Sequence, residues 1–252
     1  RFVIVALLLL VAALVLHAPW PATRAEFGHI AVAGVLVHAG YLGGVFSAIH
    51  QDVSAGEVAL IAGLQPVLTA AVAGPVLGER VSARQWAGFV LGFVGVVLVM
   101  SNRLAPGGAG TVGYLAAFLA LAGITAGTLY QKRFCSHMDL RSGAVIQFSA
   151  SAVLMAVLAL LTESMVVNWS GEFIFSLAWL VLVLSLGAIS LLYLLIRHGE
   201  AARVTSMFYL VPPVTALMAY ALFGERLGVL ALVGMGLAVI GVALVVVPSR
   251  PT

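Results

Sequence analysis

His38 combines the most reactive side chain with the least polar surroundings in this sequence, at the middle of an apolar run between residues 28 and 49. An imidazole there can exchange a proton near neutral pH, and ionisable groups deep in an apolar span are costly enough to mark function. Such a ring can also serve as a neutral hydrogen-bond partner for a neighbouring helix. Gly34, His38, Tyr41 and Val45 follow helical spacing, so Tyr41 shares the face of His38. Gln65 and Thr69, four residues apart, also point one way and offer an amide and a hydroxyl. Tyr193, Tyr209 and Thr215 place further hydroxyls inside apolar runs. Together these groups fit a polar wall that holds a small amphipathic solute, and the same residue types join helices to one another.

Pro66 and Pro212 also lie inside apolar runs. Without an N–H, each is expected to free the carbonyl four residues earlier, at Ala62 and Phe208, while Pro213 frees that of Tyr209. Interruptions at matching positions of two repeats are where secondary transporters form substrate sites, although a kink can also serve packing alone. The candidate substrate-binding set is therefore His38, Tyr41, Gln65, Pro66, Thr69, Tyr193, Tyr209, Pro212 and Thr215. Glu57 resembles an intramembrane acid, but Ser54-Ala55-Gly56-Glu57 fits a capping box at a helix start. The remaining acids fall near span ends or in loops, and the six histidines have no metal-ligand spacing. No catalytic set, metal or cofactor is expected.

The elements that must position these groups follow from composition. Hydrophobic residues make up 63% of the 252 positions and charged residues 8%, against roughly 25% charge in soluble domains. That is too little polar surface to cover a soluble fold, so the lipid bilayer is the natural solvent. Nine spans are expected, over 2–17, 28–49, 56–76, 84–101, 112–133, 143–162, 173–196, 204–222 and 228–247, joined by short loops such as Asn102 to Gly108. Alternate loops hold nine basic residues (Arg24, Arg80, Arg84, Lys132, Arg133, Arg141, Arg197, Arg203, Arg250) against three (Arg1, Arg103, Arg226). The positive-inside rule then puts the C-terminus in the cytoplasm and Arg1 outside. The net charge of +3 marks sidedness and not affinity for nucleic acid. Cys135, beside Lys132 and Arg133, falls in a cytoplasmic loop where a thiol stays reduced.

The sequence also repeats itself. Leu64-Gln65-Pro66-Val67-Leu68-Thr69-Ala70 recurs 146 positions later as Leu210-Val211-Pro212-Pro213-Val214-Thr215-Ala216. At the same offset Gly78-Glu79-Arg80 meets Gly224-Glu225-Arg226, Gly88 meets Gly234, and Gly95-Val96 meets Gly241-Val242. The copies lie five spans apart, an odd number, so equivalent helices cross the bilayer in opposite directions, as in an inverted repeat. Relative to a symmetric parent, about 35 residues, one helix and a loop, are expected to be missing before Arg1. Gly88, Gly92 and Gly95, with Gly234 and Gly241, form small-residue faces suited to scaffold or subunit contact.

These residues, together with Arg1-Phe2, Tyr41-Leu42-Gly43-Gly44-Val45-Phe46, Gly127-Thr128-Leu129-Tyr130-Gln131-Lys132-Arg133 and Tyr209-Leu210-Val211-Pro212-Pro213, resemble a bacterial EamA-type transporter of the drug/metabolite transporter superfamily. The resemblance implies an all-α integral membrane fold of five plus five inverted helices with both termini cytoplasmic. Nine helices are present here and the first of the parent is absent, a helix that helps line the family's central cavity. Residues 1–104 would form the shortened first repeat with four helices and 105–252 the second with five. The implied function is alternating-access transport, as efflux, of an amino acid or related small metabolite across the inner membrane. A non-transporting membrane subunit and an intramembrane enzyme are the alternatives. The expected partners are a small-molecule substrate, the bilayer, protons through His38 and a second copy of the chain, with no nucleic acid among them.

Overall fold

Satisfying backbone hydrogen bonds without water requires helices within a bilayer, and the computed structural model, which describes residues 1–101, 110–162, 167–223 and 228–247, is helical at every expected span. The helices are α1 (Phe2–Val15), α2 (Arg24–His50), α3 (Ala55–Leu77), α4 (Ala83–Met100), α5 (Thr111–Phe134), α6 (Leu140–Thr162), α7 (Gly171–His198), α8 (201–223) and α9 (Val229–Val246). Of these described helices, α2 to α7 and α9 are long and apolar enough to cross a membrane. The Asn102–Gly108 loop and the second Gly-Glu-Arg block, Gly224-Glu225-Arg226, fall outside the described residues.

Side chains close the exposed ends. Thr23 accepts from the Glu26 amide at 3.1 Å, and Ser170 from the Phe173 amide at 3.2 Å. Two capping boxes start α3 and α4. In the first, the Ser54 amide donates to Glu57 Oε2 at 3.0 Å and the Glu57 amide to Ser54 Oγ at 3.2 Å. In the second, Ser82 and Gln85 make the reciprocal pair at 2.8 and 3.3 Å. Each box satisfies two N–H groups that a helix start leaves unpaired. Glu57 gains a further partner, the Tyr114 hydroxyl, which donates to Oε1 at 2.7 Å.

Four helices depart from regular geometry. In α3 the first segment, Ala55–Ala62, ends before Gly63, and a second, Gln65–Leu77, begins two residues later with Pro66 in its first turn. In α8, Ala201–Ser206 passes through a 3-10 turn, Met207–Leu210, into Val211–Phe223, with Pro212 and Pro213 in the first turn. The prolines therefore open half-helices, where the missing N–H has no helical partner to lose, and do not bend continuous ones as their sequence surroundings suggest. The two half-helices have 13 residues each and start 146 positions apart. In α2 and α7 the interruptions are π segments, Val35–Gly40 and Leu180–Ala188.

By packing, the chain divides into two compact units, one of residues 1–43 and 126–199 and one of 44–125 and 200–252. Each draws residues from both halves of the sequence, so neither unit is one consecutive stretch of chain. In the first unit α6 is central. Its Ala144, Val145 and Phe148 pack with Val5, Ala6 and Ala13 of α1, and Ser151 Oγ donates to the Gly34 carbonyl of α2 at 2.9 Å. In the second unit α4 packs against α9. Gly88 meets Gly241 and Gly95 meets Gly234, so the pair runs antiparallel. Gly234 and Gly241 are Gly88 and Gly95 displaced by 146, so the two contacts exchange under that offset. These glycine faces are filled within the chain and act as scaffold.

Backbone atoms at this contact cannot yield to a side chain. A Cβ on Gly95 would lie 2.5 Å from the Ala238 nitrogen and 2.6 Å from the Gly234 oxygen. Gly95→Val is expected to destabilise the detergent-purified protein by about 1–3 kcal/mol through overpacking. Gly28→Ala, whose Cβ meets nothing within 4 Å, should stay within about 0.5 kcal/mol of the parent. Denaturant titration of both variants, followed by tryptophan fluorescence, checks the contrast.

Candidate functional site

In the first unit the π segment of α2 carries His38 into a buried aromatic cluster. A π turn places hydrogen-bond partners five residues apart and rotates the side chains that follow relative to regular helical spacing. Gly34 and His38 are buried and Tyr41 half-buried, while Val45 packs with Ala48, Val53 and Val58 of the second unit. His38 stacks on Phe148 at 4.2 Å between ring centroids and lies 6.1 Å from Phe2. Its Nε2 is 2.7 Å from the Tyr193 hydroxyl of α7. The structure thus joins two residues singled out separately in the sequence, and His38 has the interhelical hydrogen bond that a neutral ring would make.

Arg1 lies beside this cluster. Its Nε and one terminal nitrogen donate to Ser185 Oγ at 3.1 and 3.0 Å, and the guanidinium sits 5.6 Å from the centre of the Phe2 ring. Ser185 stands at the midpoint of α7, in its π segment, where its hydroxyl donates to the Leu180 carbonyl five residues back at 2.9 Å. Counting Arg1 among the outer loops is therefore corrected: its charge lies among helices. The sequence signal was an Arg at the head of an apolar run, which hydropathy alone assigns to a loop. With Arg1 removed from the count, the minority set is Arg103 and Arg226.

At the end of α5 a small cleft is lined by Gln131, Lys132, Cys135, Met138, Tyr193 and Arg197, among others. Lys132 Nζ donates to the Ile196 carbonyl at 3.0 Å and to that of Gly199, satisfying the final turn of α7 with a cation where the helix dipole favours one. Behind the cleft, the Gln147 amide donates to Gln131 Oε1 at 3.3 Å.

The second unit holds the remaining candidates. Gln65, Thr69 and Tyr209 are buried, with Gln65 and Pro66 in the first turn of the second α3 segment. Tyr209 occupies the 3-10 turn of α8 and packs with Ala70, Phe89 and Val242; its ring fills the space that a Cβ on Gly92 would take, 2.3 Å away. The Tyr209 hydroxyl and Thr69 Oγ1 have no hydrogen-bond partner among the described residues. Buried polar atoms are seldom left unpaired without cause. Pro212 follows the 3-10 turn. Thr215 lies on the same half-helix, and its side chain is outside the described residues. Glu79, at the end of α3, accepts from the amides of Ala201 at 3.0 Å and Ala202 at 3.5 Å. It caps α8, whose own N-cap residue, Glu200, makes no side-chain capping bond.

Against known proteins, the model of the EamA-like transporter family matches residues 1–101 and 111–247. The chain is similar to "Uncharacterized transporter YvbV" of Bacillus subtilis, 29% identical over 201 residues that cover 78% of this chain and 64% of the relative. It thus spans just under two thirds of that protein. "Uncharacterized inner membrane transporter YedA" of Escherichia coli K12 is 27% identical over 88% of this chain and 73% of its own length. A "Probable amino-acid metabolite efflux pump" of the same strain is 25% identical over 78% and 69%. One solved crystal structure superposes with a TM-score of 0.82 over 98% of this chain and 86% of its own at 21% identity, a likeness of fold alone.

Cys135, just beyond α5, is buried against Ile30, Ala33 and Ile146, and burial pushes its thiol up to about 11. The thiolate is the reactive form, so at pH 8 N-ethylmaleimide should label Cys135 at least tenfold more slowly in the folded protein than after SDS. The folded-state rate should climb as pH rises toward 11, which stopped-time labelling read by mass spectrometry would record.

Proposed function

The chain belongs to the EamA-like transporter family, and from that membership we propose that it is a secondary transporter moving a small metabolite, an amino acid or related compound, out of the cell by alternating access across the bacterial inner membrane. The relatives it matches carry the names of transporters, not of enzymes. The single observation that supports this function best is the paired interruption of α3 and α8, where half-helices of equal length each begin with a proline in the first turn. Discontinuous helices at matching positions are how transporters of this kind expose backbone and side-chain groups to a solute inside the bilayer.

The inverted repeat is part of the same proposal, supported by the 146-residue offset and by the reciprocal glycine contacts of α4 and α9. Its two copies would be 1–104 and 105–252. In this mechanism Gln65, Thr69, Tyr209 and Thr215 supply hydrogen bonds beside the interrupted helices, and Pro66 and Pro212 fix where those helices begin. His38, Tyr41 and Tyr193 supply the corresponding groups in the first unit. In this reading proton coupling runs through His38, whose Nε2 becomes a donor to the Tyr193 oxygen when the ring is charged.

Two measurements check the proposal. Pro66→Ala should allow α3 to run on through residue 65, lowering counterflow in proteoliposomes at least fivefold while the yield of folded protein stays within about twofold; equal losses in both would mean the proline serves packing only. A reporter fused after Thr252 should be active only in its cytoplasmic form, because the basic residues favour that side. Periplasmic activity would reverse the proposed direction of every helix.

A further inference from the structure

The cleft at the ends of α5 and α7 carries positive charge with no negative charge to meet it. Lys132 and Arg197 both line it, and no carboxylate does. Lys132 gives two of its three N–H donors to the carbonyls that end α7, which leaves one and covers the acceptors that would repel an anion there. Arg197 is exposed in the last turn of α7 and has no hydrogen bond or ion pair among the described residues, so its five donors are open. Gln131 is 3% exposed, and Gln147 occupies its oxygen, so its amide nitrogen is the end without a partner among the described residues. Ser136 adds a hydroxyl. All four groups can donate a hydrogen bond and two are cations, which is the donor set that phosphate oxygens accept from.

The apolar surroundings indicate what carries the phosphate. Lys132 and Arg197 each stand in the last turn of a helix long and apolar enough to cross a membrane, the position from which long cations reach the bilayer surface. Leu191, Leu194 and Arg197 follow one another at three-residue spacing along α7, and all three are exposed. We propose that the cleft is a binding site for the phosphodiester headgroup of an anionic phospholipid, with an acyl chain lying along Leu194 and Leu191. The cleft is small, so a phosphate oxygen enters it while the rest of the headgroup stays outside. Phosphatidylethanolamine fits less well, because its ammonium would lie against two cations with no carboxylate lining the cleft to receive it. The site stands apart from the transport function proposed above and does not depend on which solute is moved.

The test uses the complete encoded protein, purified in detergent, with three probes: phosphatidylglycerol, phosphatidylethanolamine of the same acyl chains, and inorganic phosphate. In an equimolar mixture of the two lipids, native mass spectrometry should show phosphatidylglycerol as the first lipid bound. Arg197→Gln should lose about fivefold in phosphatidylglycerol affinity, the ratio expected for one Lys or Arg at an anionic surface. Arg80→Gln, which removes an equal charge from the second unit, should keep the affinity of the parent. Cys135 reports the place, since it is the single cysteine of the sequence and lines the cleft. Phosphatidylglycerol should slow its labelling by N-ethylmaleimide at fixed pH, and Arg197→Gln should remove that protection.

Equal binding of the two lipids, or equal losses in Arg197→Gln and Arg80→Gln, would mean attraction to positive surface in general and no site in the cleft. Protection of Cys135 that persists in Arg197→Gln would also overturn the proposal, since a charged lipid surface can lower the thiolate fraction without entering the cleft. If inorganic phosphate protects Cys135 and phosphatidylglycerol does not, the ligand is a soluble anion and the lipid assignment fails. Should Arg197→Gln not fold, Ser136→Glu, which sets a carboxylate in the cleft, should abolish both the lipid preference and the protection; unchanged values there sink the proposal.

Discussion

A helix that breaks inside a bilayer strands carbonyl and amide groups where no water can reach them, at a cost of several kcal/mol for each group left unpaired. The shape of this molecule follows from where it accepts such breaks and how it repairs them. At helix ends the repair is local, through Ser54 with Glu57 and Ser82 with Gln85. It also comes from a distance, through Glu79 on the first amides of α8 and Lys132 on the last carbonyls of α7. Inside α3 and α8 the breaks are kept short, and each restarts on a proline that has no amide to strand. In α2 and α7 the chain widens to a π segment, whose hydrogen-bond partners lie five residues apart, without interrupting the helix.

These four irregular places coincide with residues proposed to meet the solute or with polar groups packed beside them. His38 lies in the π segment of α2, Ser185 in that of α7, Tyr209 in the 3-10 turn of α8, and Gln65 and Pro66 at the restart of α3. The regular pair, α4 and α9, carries no candidate. Its glycines bring two backbones into contact and provide a rigid surface against which Tyr209 is packed. Regular and irregular parts thus differ in content: close backbone packing holds the frame, and the geometry that departs from 3.6 residues per turn holds the proposed functional groups.

Much of this was legible in the sequence because it is written in local pattern. The nine described helices follow from apolar runs, the Ser54 and Glu57 box from a four-residue signature, and the positions of two interruptions, though not their form, from Pro66 and Pro212. The π segments were not legible, since Val35–Gly40 and Leu180–Ala188 each hold a single glycine among residues common in regular apolar helices. Nor could local pattern supply the long-range partners. His38 meets Tyr193 across 155 positions and Arg1 meets Ser185 across 184. The chemistry of each partner could be named from its residue type, but which groups meet is decided by tertiary packing.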